Sequence, residues 1–229
     1  MIETKAVEKP GEKFSKTPEH QTVYMSIRDK ILFGDFAPGD ALTIQGLQAQ
    51  TNAGMTPVRE ALRRLTSEGA IEMLGNRRLC VPILEASNVE ELFFMRKMLE
   101  PELARRATQK VTDADVETLR QIDRRLNDTI DRGDVQGYLQ QNYLFHKLLY
   151  DKAQAPIIAG TVDRLWLRFG PSLRENCGRY GTSNLPDQHA ELLEALDARD
   201  AFGAARAIGD DVMQGMNLYL MAPEAIDAE

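Results

Sequence analysis

The segment Thr56-Pro-Val-Arg-Glu-Ala-Leu-Arg-Arg-Leu-Thr-Ser-Glu-Gly69 constrains this chain more than any other. Thr56 is expected to N-cap a helix and Pro57 to open it, where a missing N–H costs nothing. Val58, Ala61, Leu62 and Leu65 then form one buried stripe at i, i+3, i+4 and i+7. Gly69 is placed to end the helix. Glu60 and Arg64 are spaced to pair, which leaves Arg59 and Arg63 one turn apart and unpaired on the outer face. An arginine pair alone is equally an ordinary solvated face. A short helix with two free guanidinia near its start also suits a DNA major groove.

The neighbouring segments decide between these readings. Residues 17–34 read as a helix with the stripe Tyr24, Ile27, Ile31, and Phe36-Ala-Pro-Gly-Asp40 is turn chemistry. Thr43 can cap a short helix to about Thr51, and Asn52-Ala-Gly54 is a tight turn. After the Arg59 helix, Ile71 and Met73 alternate with polar residues, Gly75-Asn76 signals a two-residue hairpin turn, and Leu79 and Val81 alternate again. Helix, helix, turn, helix and basic hairpin make a winged helix-turn-helix.

Beyond Pro82 the strand signals stop. Helical stripes cover 89–108, 112–132, 134–152, 155–174, 185–199 and 200–220, with Thr112/Asp115 as a capping box and Asp134 and Asp200 as N-caps. Pro101 and Pro171 are expected to kink or end their helices, and 178–186 is the longest break. The expected fold is mainly α, with three parts: a tail at 1–18, a winged helix-turn-helix at 19–85 and a six-helix bundle at 86–222.

Charge and composition narrow the function. The net charge of −7 argues at first sight against nucleic acid, but residues 86–229 hold 24 acidic against 17 basic residues, while 19–85 are near balance. There the arginines cluster at Arg59, Arg63 and Arg64, then Arg77 and Arg78, and local charge governs phosphate binding. No run of 18 apolar residues exists, so no membrane span is expected. The first residues lack the apolar core of a secretory signal, and Cys80 and Cys177 lack metal spacing. Free thiols in a reducing cytoplasm follow.

PGDALTIQGLQAQ followed by TPVREALRRLTSEGAI resembles the DNA-binding domain of GntR-superfamily transcriptional regulators. FFMRKMLEPELARRAT, NYLFHKLLY and QHAELLEALDARDAFGAARAI resemble the helical effector domain of the FadR-like (FCD) subgroup, and the six-helix count resembles its VanR-like branch. The resemblance implies a cytoplasmic homodimer on double-stranded DNA, not an enzyme, with a pseudopalindromic operator and a small organic acid as effector. It puts Arg28, Thr56, Arg59, Arg63, Asn76, Arg77 and Arg78 at the duplex. Family members carry Ser-Arg before the Thr-Pro-Val-Arg-Glu core, where this chain has Gly54-Met55. They also carry glycine where Arg78 stands. A thioether cannot give guanine a bidentate pair, so the operator sequence is left open.

Asn142 and His146 are i, i+4 on one helix face, with His146 in the apolar company of Leu144, Phe145, Leu148 and Leu149. His189 opens a later helix beside Leu192 and Leu193. In the resembling family a carboxylate or Asn and three histidines form a metal site. Asn142, His146 and His189 match the first three positions and Asp211 falls on the fourth. Two imidazoles and a carboxylate can hold Zn²⁺, Ni²⁺, Mn²⁺ or Fe²⁺. The same residues also read as two hydrogen-bonded core histidines beside a surface carboxylate. Arg96 and Arg168, each beside apolar residues, are the expected effector-carboxylate contacts, with surface ion pairs as the alternative. Two rivals to a ligand-responsive regulator are an adaptor that lost operator binding and a helical metalloenzyme.

Overall fold

The computed structural model describes residues 18–75, 77–180 and 187–220, with side chains except those of 175–180 and 218–220. The head contains α1 (Glu19–Leu32), β1 (Ala41–Leu42), α2 (Ile44–Thr51), α3 (Met55–Ser67), β2 (Glu72–Met73) and β3 (Leu79–Cys80). Helices α4 (Ala86–Thr108), α5 (Asp113–Asp131), α6 (Val135–Lys152), α7 (Pro156–Tyr180), α8 (Gln188–Asp197) and α9 (Ala201–Leu220) form the bundle. The molecule is a mainly α protein, a winged helix-turn-helix followed by a helical domain. Among the described residues, no helix is long and apolar enough to cross a membrane.

Helix α3 starts two residues earlier than its sequence suggests. Gly54 is the N-cap and Thr56 lies inside the first turn without a capping bond. Pro57 still costs nothing, because its position is among the first residues whose N–H has no partner within the helix. Gly69, at φ +74°, lets the chain reverse so that the Ala70 N–H reaches the Leu65 carbonyl at 3.0 Å. Arg64 pairs with Glu68 at 3.0 Å instead of Glu60, and its guanidinium stacks 3.6 Å from the Tyr24 ring. Glu68 also accepts from Tyr24, whose pKa burial and that bond raise to about 12.

The sheet has a strand the sequence concealed. β3 pairs antiparallel with β2 (Met73 opposite Leu79) and with the two-residue β1 (Leu42 opposite Leu79). The wing turn is longer than two residues. The Leu74 N–H meets the Arg78 carbonyl and the Arg77 N–H meets the Leu74 carbonyl, each at 2.8 Å, with Arg77 left-handed at φ 62°. Asn76 lies outside the described residues.

Both prolines sit inside helices, α4 running through Pro101 and α7 through Pro171. An interior proline costs about 3 kcal/mol, and here burial on both sides outweighs it: Leu103 and Ala104, and Leu167, Phe169 and Leu173, are all buried. Helix α7 therefore runs to Tyr180, past the start of the expected 178–186 break, whose residues 181–186 lie outside the described set. Asp187 caps α8 through the Ala190 N–H, and the Thr112/Asp115 capping box opens α5.

One hydrophobic core runs through both parts of the chain, from Ile27 and Leu65 in the head to Leu103, Leu149 and Trp166 in the bundle. The parts meet where α1 packs on α7. A Cβ on Gly170 would lie 2.2 Å from the Leu32 carbonyl oxygen, so only glycine lets α7 approach the end of α1 this closely.

Candidate functional site

The outer surface of α3 is built by its inner one. Val58, Ala61, Leu62 and Leu65 are buried on α1, which forces Met55, Arg59 and Arg63, spaced a turn apart, into solvent with Thr56 beside them. Arg59 and Arg63 hold no intramolecular ion pair among the described residues. Arg77 and Arg78 are exposed on the wing. The described surface thus offers two guanidinia free of ion pairs on the outer face of α3 and two exposed ones on the wing, a geometry suited to phosphates and base edges.

Arg28 is not part of that surface. It is 4% exposed, and its guanidinium donates to Asp163 of α7 at 2.7 Å and to the Tyr143 hydroxyl of α6 at 2.8 Å. Tyr143 in turn donates to Asp163. Burial acts against the Arg28 charge, but Tyr143 and Asp163 outweigh it and raise its pKa further. Arg28 ties the head to the bundle and cannot reach a duplex.

In the bundle, three of the four expected metal residues converge. His146 Nε2 lies 3.2 Å from Asp211 Oδ2 and 3.4 Å from His189 Nε2, and ligand atoms of all three lie within 4.8 Å of one another. Both histidines are buried. Asn142, also buried, lines the same small cavity as Asp211. Burial disfavours the Asp211 charge, yet His146, His189 and Arg96 overcome this and hold its pKa down at about 2.

The surrounding bonds fix which imidazole nitrogens face the centre. Burial, reinforced by Glu100, raises the Tyr150 pKa, so its hydroxyl keeps its proton. That proton goes to Glu100 Oε2 at 2.6 Å, since a carboxylate only accepts. The hydroxyl can therefore only accept from His146 Nδ1, 3.0 Å away. His189 Nδ1 likewise donates to Asp123 at 3.0 Å. When neutral, imidazoles so held present both Nε2 lone pairs, with the Asp211 carboxylate, to one point. Lone pairs facing each other repel unless a cation lies between them, and outward N–H groups held by oxygen acceptors are how ligating histidines are oriented. The donor set fits a divalent ion.

Arg96 borders this centre but is engaged. Its Nε donates to the fully buried Glu100 at 2.5 Å, and its guanidinium lies 4.4 Å from the Trp166 ring centroid. It lines the cavity of about 30 Å³ shared by Asn142, Trp166 and Asp211. That is about one water's share of liquid volume, so an organic acid would need the helices to part. Arg168 lies elsewhere: it is exposed and passes over Gly69 of the head, away from the cavity, so its expected effector role is not met. Its helix turns it to the junction.

Asp123 and Glu100 escaped the sequence reading, though the signal was present. Val116, Leu119, Asp123 and Leu126 share a buried stripe, as do Phe93, Arg96, Glu100 and Leu103. A carboxylate at a core position needs a partner, and both have one.

Comparison with known proteins agrees with this architecture. Residues 19–81 match the gntR family of bacterial regulatory proteins, and residues 91–212 match the FCD domain. The chain belongs to the GntR family and carries an FCD domain. It is 27% identical over 194 residues to the HTH-type transcriptional regulator McbR of Escherichia coli K12, spanning 83% of this chain and 87% of that one. The HTH-type transcriptional repressor RspR of the same strain is 26% identical over 195 residues, 83% of this chain and 84% of RspR. The solved structure of E. coli McbR/YncC superposes with a TM-score of 0.83 at 25% identity, covering 90% of this chain and 98% of that one. The chain is accordingly a DNA-binding transcriptional regulator of the GntR/FCD type.

Proposed function

We propose that this regulator binds a pseudopalindromic operator as a homodimer and responds to a small organic acid at a metal centre in its bundle. The exposed, unpaired Arg59 and Arg63 opposite the buried stripe of α3 carry this reading. The two arginines meet base edges or phosphates in the major groove, and Arg77 and Arg78 meet the backbone or minor groove. The dimer forms through α4 and α9, where Phe94 and Met95 are 68% and 39% exposed beside Met213 and Met216. Glu90, Glu91 and Lys97 rim this face, so a two-fold axis can set acid against lysine.

Asn142, His146, His189 and Asp211 hold the ion, which supplies a Lewis-acidic point for an effector carboxylate. Arg96 faces the same cavity. Arg168, by its position, takes no part. The reading assigns no reaction to the chain.

The test pairs two surfaces. Arg59→Ala weakens operator binding by about 1–3 kcal/mol and relaxes choice at one position per half-site. Arg77→Glu with Arg78→Glu lowers affinity for all DNA and flattens its salt dependence. Gel-shift titrations at several salt concentrations separate the two, and unchanged operator binding by Arg59→Ala overturns the helix assignment. A thermal-shift screen crossing Zn²⁺, Ni²⁺ and Mn²⁺ with small carboxylic acids tests the centre. No shift in any combination overturns it.

A further inference from the structure

The surface of α3 begins with a methionine. Met55 is the first residue of the helix and 49% exposed, between Gly54, which has no side chain, and exposed Thr56. It belongs to neither hydrophobic cluster, so its exposed half is not spent on the core. Arg59 and Arg63 follow it on successive turns, which puts an apolar side chain at the leading end of the stripe read as facing DNA. A thioether donates no hydrogen bond and accepts only weakly, so it cannot serve the acceptors of guanine or the amino groups of adenine and cytosine. The one apolar group on a base edge in the major groove is the thymine 5-methyl. An unbranched, polarizable side chain can adapt to it.

We propose that Met55 determines specificity by packing on the 5-methyl of a thymine at one position in each operator half. The inference rests on the DNA-reading assignment of α3.

The experiment first selects duplexes from a randomised pool with the full-length wild-type chain. Each thymine of the selected duplex is then replaced by deoxyuridine, one at a time, and binding is measured by fluorescence anisotropy at fixed salt. One position per half should lose about fourfold in affinity, the equivalent of ~0.8 kcal/mol for one buried methyl-sized group. Met55→Ala should bind the thymine and deoxyuridine duplexes alike at that position. Met55→Arg should select guanine there from the same pool. Both variants should melt close to the wild type, because Met55 is half exposed and lies outside both hydrophobic clusters. The proposal is overturned if no deoxyuridine changes wild-type binding by more than twofold, or if the sensitivity survives in Met55→Ala. A wild-type chain that selects no sequence overturns the DNA-reading assignment, and this inference with it.

Discussion

Replacing Tyr150 by phenylalanine removes one oxygen and tests the hydrogen-bond logic of the bundle centre. The hydroxyl is the acceptor that holds the proton of His146 on Nδ1 and leaves Nε2 bare toward Asp211 and His189. Without it, the proton is free to sit on Nε2 and the ring loses its anchor. Removing such an orienting partner weakens metal binding about 10- to 100-fold. At a metal concentration 100 times the wild-type Kd, binding stabilises the fold by about 2.7 kcal/mol, or roughly 5–11 °C in Tm for a chain of this size. A tenfold weaker site at the same concentration contributes about 1.4 kcal/mol, or roughly 3–6 °C. The metal-free variant should also melt below the wild type, since Glu100 keeps Arg96 and Trp166 but loses its 2.6 Å bond. The assay is differential scanning fluorimetry with and without Zn²⁺, Ni²⁺ or Mn²⁺, calibrated by titration calorimetry. His146→Ala, which removes a donor outright, should show no metal shift. A Tyr150→Phe variant whose metal shift equals that of the wild type would refute the tautomer argument. A wild type with no shift would remove the metal centre itself.

Three further outcomes are expected. Arg28→Met should destabilise the fold by about 2 kcal/mol, less than the roughly 3–5 kcal/mol for breaking a fully buried pair, because the Asp163 side chain is 32% exposed. Asp163→Asn in the same background should cost little more, and urea titrations of the double-mutant cycle would show additivity if the pair were inert. Stability should fall as pH drops from about 4 toward 2. The Asp115 carboxyl is held at about 2 chiefly by Lys152 and the Thr112 N–H, and a depressed folded pKa gives stability that is present above the unfolded value and lost below it. Circular dichroism of Asp115→Asn, which cannot titrate, should show a flatter acid limb than the wild type, and an identical limb counts against this assignment. Phe94→Glu should convert a dimer to a monomer in sedimentation velocity without changing the melt of the monomer. A dimer that persists would place the interface off the α4/α9 face.

Most roles that depend on neighbours within one element are legible in the sequence, the Thr56 cap and the Glu60–Arg64 pair excepted; roles that depend on another element are not. The α3 stripe, the Thr43 cap and the Thr112/Asp115 box need only local spacing, and all are present. The pairing of His146 with Asp211 is reached only through the family resemblance, because the 64 residues of intervening chain carry no periodicity that links α6 to α9. Arg28 was misplaced for the same reason. It flanks the Tyr24, Ile27, Ile31 stripe, and on α1 alone it is indistinguishable from a surface cation, since Asp163 and Tyr143 arrive from α7 and α6. Pro101 and Pro171 do not end their helices, because the burial around them, which local backbone cost does not include, offsets that cost.

The junction around Arg28 has a consequence for how a ligand in the bundle can matter to the head. A ligand shifts an equilibrium only by its differential affinity for the two states, so some element must differ between them. The cavity at Asp211 holds about 30 Å³, and admitting a larger molecule requires α4, α6, α7 and α9, which line it, to move apart. Trp166 of α7 lies on that cavity wall and packs edge-on against Tyr143 of α6, with ring centroids 5.9 Å apart. Tyr143 and Asp163 are the two bundle groups that hold Arg28, which also pairs with Asp29 on its own helix at 3.2 Å, and Phe33 packs edge-on against Tyr143 at 5.8 Å. Displacing α6 from α7 therefore separates the acceptors of a buried guanidinium on α1, the helix on which α3 packs. Because a buried charge that keeps only Asp29 of its three partners is costly, the separation favours α1 following or the lost bonds being remade with water. The Arg28→Met variant isolates this link: it should leave effector affinity close to wild type while reducing the effect of effector on operator binding. Full retention of that effect would show that the shared core alone, without the Tyr143–Arg28–Asp163 cluster, carries the coupling.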